Sequence, residues 1–125
     1  MTGASAAVLV VDDDYDLRET LSDVLQDEGY SVATAPDGRV AIDYLRAGHR
    51  PHVILLDWMM PRCDGAQFRA EQLGDPALAG IPVVLLTADT KRQQKMDELG
   101  VEAFLTKPCD RAVLLDVIRK YVKSR

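Results

Sequence analysis

The feature that most constrains this chain is a series of five short apolar runs separated by longer segments with helical patterning. The runs occupy residues 8–11, 30–33, 53–56, 82–86 and 103–105. Four of them are nearly continuous in Val, Ile, Leu and Phe. Continuous runs of this kind are typical of strands covered on both faces, whereas strands with one solvated face alternate with polar residues. We therefore predict five strands enclosed by helices.

The segments between the runs supply those helices. In the first, Leu17, Leu21, Val24 and Leu25 recur with helical spacing before Gly29, a residue that often follows a helix end. Helices are predicted at about 14–28, from Pro36-Asp37-Gly38 to Gly48, at 65–73, at about 91–99 and at 110–122. The fifth predicted helix is expected to bury Val113, Leu114, Val117, Ile118 and Tyr121.

Strict alternation of strands and helices predicts an α/β fold with a parallel sheet and right-handed crossovers. With 125 residues and 13.8 kDa, the chain fits one domain and an open doubly wound sheet rather than a closed barrel. Precedent for such sheets suggests the strand order 2-1-3-4-5. Residues 1–6 are expected to be frayed, and no segment resembles a linker to a further domain.

Charge and composition exclude several classes of function. Fifteen basic and twenty acidic residues give a formal charge of -5, which is unfavourable for binding nucleic acid or anionic lipid. The apolar run at residues 6–11 is far shorter than the roughly 20 residues of a membrane span. Cys63 and Cys109 lack the spacing of zinc or redox motifs. We expect a cytoplasmic protein with reduced thiols and with no nucleic-acid or membrane partner.

Acidic residues follow two of the predicted strands. Strand 1 is followed by Asp12, Asp13 and Asp14, and strand 3 is followed by Asp57. Asp14 alone is best explained as the N-cap of the first helix. The others should meet at the switch point between strands 1 and 3, where open α/β sheets bind ligands. Two like charges about 4 Å apart repel by on the order of 4 kcal/mol at an effective dielectric near 20, so the group needs a compensating cation or a retained proton.

Oxygen ligands without His or Cys favour a hard divalent cation, and Mg2+ is the one that retains several waters and is completed by phosphate. Strands 4 and 5 end in Thr87 and Thr106-Lys107, which adds a hydroxyl and an ammonium to the same edge. A metal site, a hydroxyl and a lysine around one more carboxylate can stabilise a phosphoryl group. Asp57 is the predicted acceptor, because carboxylates serve as nucleophiles in forming acyl phosphates.

Five ordered motifs together resemble a known family. They are Val-Val-Asp12-Asp13-Asp14, Leu-Leu-Asp57-Trp-Met-Met60-Pro61 followed by Asp64-Gly65, Leu-Leu-Thr87-Ala88, Phe104, and Lys107-Pro108. From about Val8 to Val122 the chain resembles the receiver domains of two-component response regulators, of the single-domain chemotaxis type. The resemblance implies a flavodoxin-like three-layer fold covering residues 1–125, without an effector domain.

The resemblance also implies a role for each site residue. Asp57 would be phosphorylated by a phosphohistidine on a sensor histidine kinase or a histidine phosphotransfer protein. Asp12, Asp13, Asp57 and the backbone carbonyl of Met59 would bind Mg2+. Thr87 and Lys107 would bind phosphoryl oxygens. The domain would be a signalling protein, not an enzyme, and would catalyse only its own phosphorylation and dephosphorylation.

Output and signal lifetime are further implications of the resemblance. Thr87 and Phe104 would act as the switch, reshaping the face formed by the fourth predicted helix, the fifth strand and the fifth helix, where a downstream protein would dock. Met59 and Asp89 would flank the path of the water that hydrolyses the acyl phosphate. Lys91 and Arg92, at the start of the fourth predicted helix, suggest an acidic target.

Three other functions compete with this one. Asp12-x-Asp14 after an apolar strand, with Thr87 and Lys107 later, also resembles the haloacid-dehalogenase phosphatases, in which Asp12 would be the nucleophile. That family needs a further acid pair after the lysine. A phosphorylation-independent interaction module would be expected to have lost one of the site residues, and all of them are present. A flavin carrier is disfavoured because three aspartates follow strand 1.

Overall fold

A computed structural model of the chain describes residues 7–57, 65–87, 103–106 and 110–122. Within these ranges, strands and helices alternate except where undescribed residues separate β4 from β5. The elements are β1 (Val8–Val11), α1 (Tyr15–Asp27), β2 (Val32–Ala35), α2 (Gly38–Arg46), β3 (Val53–Asp57), α3 (Gly65–Leu73), β4 (Val83–Thr87), β5 (Ala103–Thr106) and α4 (Arg111–Tyr121). The predicted frayed end at 1–6 and the predicted helix at about 91–99 lie outside the described residues.

The five strands form one parallel sheet in the order β2-β1-β3-β4-β5. This confirms the predicted fold class and strand order. Val11, the last residue of β1, is in register with Ala35 of β2 and with Leu56 of β3. Asp57 at the end of β3 is in register with Leu86 of β4. The carboxyl ends of the central strands therefore reach the same edge of the sheet together.

Alternate residues of the strands enter two separate cores, one on each face of the sheet. Leu9, Ile54 and Leu85 belong to the core covered by α2 and α3, whereas Val8, Leu55 and Val84 belong to the core covered by α1 and α4. The helices contribute to these cores Ala41, Ile42, Leu45 and Phe68 on one face, and Leu21, Leu25, Leu114, Leu115 and Ile118 on the other. Both faces are thus buried, as the continuous apolar runs predicted.

Side chains and glycines set the bounds of the first two helices. Asp14 and Asp37 are the N-caps of α1 and α2, and their carboxylates accept hydrogen bonds from the backbone N–H groups of Leu17 and Val40. Gly29 and Gly48 follow the helix ends with φ of 94° and 110°, a conformation that favours glycine. The predicted cap of α1 and the predicted ends of both helices are confirmed.

Gln72 ties the segment before β4 to helix α3. Its side chain is fully buried, and Nε2 donates to the backbone carbonyls of Leu78 at 3.0 Å and of Ile81 at 2.9 Å. Oε1 of the same amide accepts from Nη1 of the buried Arg69 at 2.8 Å. This network holds the chain in place just before it enters β4, the strand that ends at Thr87.

The second strand lies two residues later than predicted. The expected run was 30–33, but β2 spans Val32–Ala35. β2 is an edge strand, and only Ala35 in it is fully buried. The rule for strands covered on both faces therefore did not apply here, and the polar, exposed Thr34 lies within the strand. Tyr30 instead packs against the core from the connecting segment.

The packing face of the C-terminal helix also differs from the prediction. Val113 was expected in the core but is 48% exposed, whereas Leu115 is buried. Each residue advances about 100° around a helix, so Leu114, Leu115 and Ile118 can share a face from which Val113 is rotated away. Val117 and Tyr121 are partly buried beside this face.

The helices are short, between nine and thirteen residues each among those described. In the described part of the chain, no helix is both long enough and apolar enough to cross a membrane.

Candidate functional site

Three carboxylates meet at the carboxyl edge of the sheet. Asp12 follows Val11 in β1, and Asp57 follows Leu56 in β3, the register partner of Val11. One carboxylate oxygen from each of Asp12, Asp13 and Asp57 lies within 4.8 Å of the other two. We call these three residues the acid cluster. Adjacent strand ends place it at the predicted switch point, where the chain winding reverses between β1 and β3.

Burial makes the acid cluster costly without a counter-charge. Asp12 is 1% exposed and Asp57 is 5% exposed, while Asp13 lies at the surface. Carboxylates removed from water at this spacing repel each other more strongly than solvated ones do. The exposed Asp13 leaves the cluster accessible from solvent, so an ion could reach it. A site with two buried carboxylates and one exposed carboxylate can bind a cation from solvent.

The donor set of the acid cluster fits Mg2+. It offers three carboxylate oxygens and contains no nitrogen or sulfur ligand. Hard divalent cations select oxygen, and Mg2+ is usually held by one or two carboxylates with waters and phosphate completing the octahedron. Asp12, Asp13 and Asp57 are therefore the described residues that would hold such an ion.

The loop that carries Asp12 is fixed by hydrogen bonds on several sides. The N–H of Asp12 donates to the carbonyl of Ala35 at 3.1 Å. Its Oδ1 accepts from the N–H of Asp14 at 2.9 Å, and its carbonyl accepts from Nη1 of Arg18 at 2.8 Å. The carboxylate of Asp14 points to the N–H of Leu17 at 3.2 Å, which is the capping role predicted for it. Asp12 is thus held within a shaped loop.

Arg18 is a residue that sequence reasoning missed. It lies on α1, is half-buried, and its Cζ atom is 5.4 Å from the centre of the Tyr15 ring. A sequence signal was available, because the start of a helix favours acidic side chains and a basic one there needs another reason. The contact with the Asp12 carbonyl supplies that reason.

Thr87 lies on the other side of Asp57 from Asp12. It ends β4, is 5% exposed, and follows Leu86, the register partner of Asp57. It is in register with Thr106, the last residue of β5. The structure therefore brings Asp12, Asp57 and Thr87 to the same edge of the sheet. Met59, Asp89, Lys107 and the side chain of Phe104 lie outside the described part of the structure.

Comparison with known proteins decides the family. Residues 8–119 match the family model described as the response regulator receiver domain. The chain belongs to the response regulator receiver domains. The matched residues include the acid cluster, Thr87 and Lys107. The recognition made from the motifs is confirmed, and the chain is a receiver domain of two-component signalling.

Relatives in sequence are response regulators. This chain is 40% identical over 123 residues to the response regulator PleD of Caulobacter vibrioides, a match that covers 97% of this receiver domain and 27% of PleD. The chain therefore spans about a quarter of the length of PleD.

Relatives in structure are receiver domains of similar size. The chemotaxis protein CheY4 of Vibrio cholerae has a TM-score of 0.85 and 33% identity, covering 94% of this chain and 99% of CheY4. The phosphorylated cyanobacterial phytochrome response regulator RcpA has a TM-score of 0.78 and 28% identity, covering 94% of this chain and 91% of RcpA. Both support the fold described above.

Proposed function

We propose that this receiver domain accepts a phosphoryl group on Asp57 from a phosphohistidine donor, in a Mg2+-dependent reaction. The observation that carries the proposal is the convergence of Asp12, Asp13 and Asp57 at the switch point of the sheet. Membership of the receiver family supports it, and so does the phosphorylated state of the structural relative RcpA.

Asp57 is a better acceptor than the other acids because of its place in the sheet. β3 lies between β1 and β4, so Asp57 has the carboxylate of Asp12 on one side and the end of β4 at Thr87 on the other. Oδ1 of Asp12 already accepts the Asp14 N–H. Asp57 is the acid with both a metal-holding group and a hydroxyl at neighbouring strand ends.

The transfer exchanges one phosphorus bond for another. A carboxylate oxygen of Asp57 attacks the phosphorus of the donor phosphohistidine. As the new P–O bond forms, the P–N bond breaks and its electron pair returns to the imidazole nitrogen. Such transfers depend chiefly on positioning and on stabilising the charge of the phosphoryl oxygens.

The surrounding residues stabilise the charge of the phosphoryl oxygens. When bound, Mg2+ neutralises negative charge on the carboxylates and on the incoming phosphoryl group. Asp12, Asp13 and Asp57 would hold the ion, together with the backbone carbonyl of Met59. The hydroxyl of Thr87 would donate to one phosphoryl oxygen, and the ammonium of Lys107 would pair with another.

We infer that the output face includes β5 and the C-terminal helix α4. Leu105 of β5 shares a core with Leu114, Leu115 and Ile118 of α4, so a change in β5 bears directly on that helix. Phe104 is a residue of the same strand. Phosphorylation adds roughly -1.5 to -2 charges and three acceptor oxygens beside Thr87, which biases Thr87 and Phe104 toward a second arrangement.

The partner on the input side would be a sensor histidine kinase or a histidine phosphotransfer protein, and on the output side a protein that docks to that face. Met59 and Asp89 would influence how long the signal lasts, since they lie two residues beyond Asp57 and Thr87.

The proposed function is tested by incubating the protein with Mg2+ and acetyl phosphate and following its intact mass. We expect a gain of one phosphoryl group, no gain in EDTA, and no gain in Asp57→Asn. Asp43→Asn is the matched control, because Asp43 is an exposed acid on α2 and does not belong to the acid cluster. Equal labelling of wild type and Asp57→Asn would contradict the proposal.

A further inference from the structure

The guanidinium of Arg18 lies beside the acid cluster without being one of its ligands. Its Nη1 donates to the backbone carbonyl of Asp12 at 2.8 Å, from the fourth residue of α1. We propose that Arg18 is a positioning residue that orients Asp12 and Asp13 for Mg2+ and thereby sets the affinity of the site. This inference rests on the proposed function, in which those two acids hold the ion.

The physical link between Arg18 and the acids is the peptide plane between Asp12 and Asp13. The carbonyl of Asp12 and the N–H of Asp13 belong to one rigid planar unit. Fixing that carbonyl therefore fixes the plane from which both side chains depart. The N–H of Asp12 is fixed separately, by the carbonyl of Ala35. With both of its backbone groups held and its Oδ1 accepting from the N–H of Asp14 at 2.9 Å, Asp12 has little freedom to turn its carboxylate away from Asp57.

Arg18 is itself held in place for this task. Its guanidinium carbon is 5.4 Å from the centre of the Tyr15 ring, within the range of a cation–π contact. A planar guanidinium can stack on an aromatic ring and donate in its own plane at the same time, and a lysine ammonium cannot. The pair Tyr15 and Arg18 thus forms a support that reaches from the surface of α1 to the backbone between the two acids.

The charge and the hydrogen bond of Arg18 act on Mg2+ affinity with opposite signs. A positive charge near the acid cluster repels a cation, so its removal alone would strengthen Mg2+ binding. Loss of the hydrogen bond loosens the ligands, and Mg2+ tolerates departures from octahedral geometry poorly. Arg18 is half-buried and lies partly in water, which screens its charge, whereas orientation is not screened. The orienting effect therefore dominates.

Calorimetric titration with MgCl2 at constant ionic strength tests this assignment. For Arg18→Ala we expect about a tenfold increase in the Mg2+ Kd, the size of loss common for residues that orient metal ligands. Arg18→Lys keeps the charge and can still donate one hydrogen bond to the Asp12 carbonyl, but it loses the planar group that stacks on Tyr15, so its Kd should lie between those of wild type and Arg18→Ala. Arg119→Ala removes the same charge from an arginine that pairs with Glu28 and Asp116, and should bind like wild type.

Glu28 is the C-cap of α1, about 20 Å along the helix from the acids at its N-terminus, so Arg119→Ala reports the effect of net charge alone.

Unfolding midpoints in EDTA separate positioning from stability, because a purely structural role would lower the midpoint and leave the Mg2+ Kd of the folded protein unchanged. A Kd for Arg18→Ala equal to or lower than that of wild type would overturn the assignment. Should Arg18→Ala not fold, a wild-type Kd in Arg18→Lys would overturn it equally. Absence of Mg2+ binding in wild type would instead overturn the proposed function.

Discussion

The two ends of the sheet differ in the groups that they bury: backbone groups at the amino ends and polar side chains at the carboxyl ends. At the amino ends, backbone groups close the structure: the N–H of His52 donates to the carbonyl of Ala7 at 2.8 Å, and the N–H of Ile54 to that of Pro82 at 2.9 Å. At the carboxyl ends, the buried polar side chains include those of Asp12, Asp57 and Thr87. Backbone N–H and carbonyl groups pair with each other at the amino ends, whereas the carboxyl ends hold buried acids.

This difference indicates that stability and function depend on different groups within one small domain. Backbone pairing and the two apolar cores stabilise the fold, whereas repulsion within the acid cluster should lower the stability of the protein when no cation is bound. Proteins commonly retain such a cost where activity requires it. Substitutions at the two ends should therefore act on different measurements.

The largest effect on stability is expected from Ile54, a fully buried residue near the amino end of β3. Ile54→Ala should lower the free energy of unfolding by about 3 kcal/mol, because it removes buried methyl and methylene groups and leaves a cavity. Urea denaturation measures this loss, and Ile54→Val should cost about 1 kcal/mol. Below its unfolding transition the Ile54→Ala protein should still bind Mg2+ normally. A matching loss of Mg2+ affinity would break the proposed separation.

The next effect concerns metal removal at the opposite end. Mg2+ at a hundred times its Kd should raise the free energy of unfolding by about 2.7 kcal/mol over the value in EDTA. In Asp13→Asn this gain should largely disappear, while stability in EDTA should rise because one of three neighbouring like charges is gone. Thermal unfolding with and without Mg2+ measures both quantities. Asp23→Asn, an exposed acid on α1, is the control and should retain the full gain.

A smaller effect is expected for Asp37, an acid at the carboxyl edge that stabilises the fold and is not part of the acid cluster. Asp37 follows β2, is buried, and accepts from the N–H of Val40 at 2.9 Å as the N-cap of α2. Asp37→Ala should cost about 1 kcal/mol of stability, the usual value for a lost cap. Its Mg2+ Kd and its phosphorylation should stay at wild-type values. A weakened Mg2+ site in this variant would show that the acid cluster extends to β2.

The smallest expected change is kinetic and concerns Met59. A thioether is a weak hydrogen-bond acceptor and orients water poorly, whereas an amide both donates and accepts. Met59→Asn should therefore lose its phosphoryl group faster than wild type, with little change in folding stability. Phosphate release after removal of the donor gives both rates, and identical decay in the two proteins would rule out this role.

Fold prediction from sequence succeeded where burial was complete on both faces. The runs in β1, β3 and β4 lie at the centre of the sheet and were placed within one residue. β2, at the edge, was placed two residues early because an exposed Thr34 interrupts its apolar pattern. Val113 was assigned to the core because the apolar residues of α4 fit more than one helical face, and tertiary packing selected the face of Leu115.

Site prediction from sequence succeeded for residues whose position follows from strand ends. Asp12 and Asp57 follow strands that are neighbours in the predicted order, so their proximity could be inferred before any coordinates. Arg18 could not be found in this way, because its contact is with a backbone carbonyl and depends on the path of the loop. The signal that the sequence does carry, a basic residue near the start of α1, does not say which group that residue contacts.

The most direct test of the central claim locates the phosphoryl group itself. Protein phosphorylated in Mg2+ can be treated with sodium borohydride, which reduces an aspartyl phosphate to homoserine, and then sequenced by peptide mass spectrometry. The account predicts homoserine at residue 57. Homoserine at residue 12, as a phosphatase-like nucleophile would give, or no converted aspartate in a fully labelled sample, would contradict it.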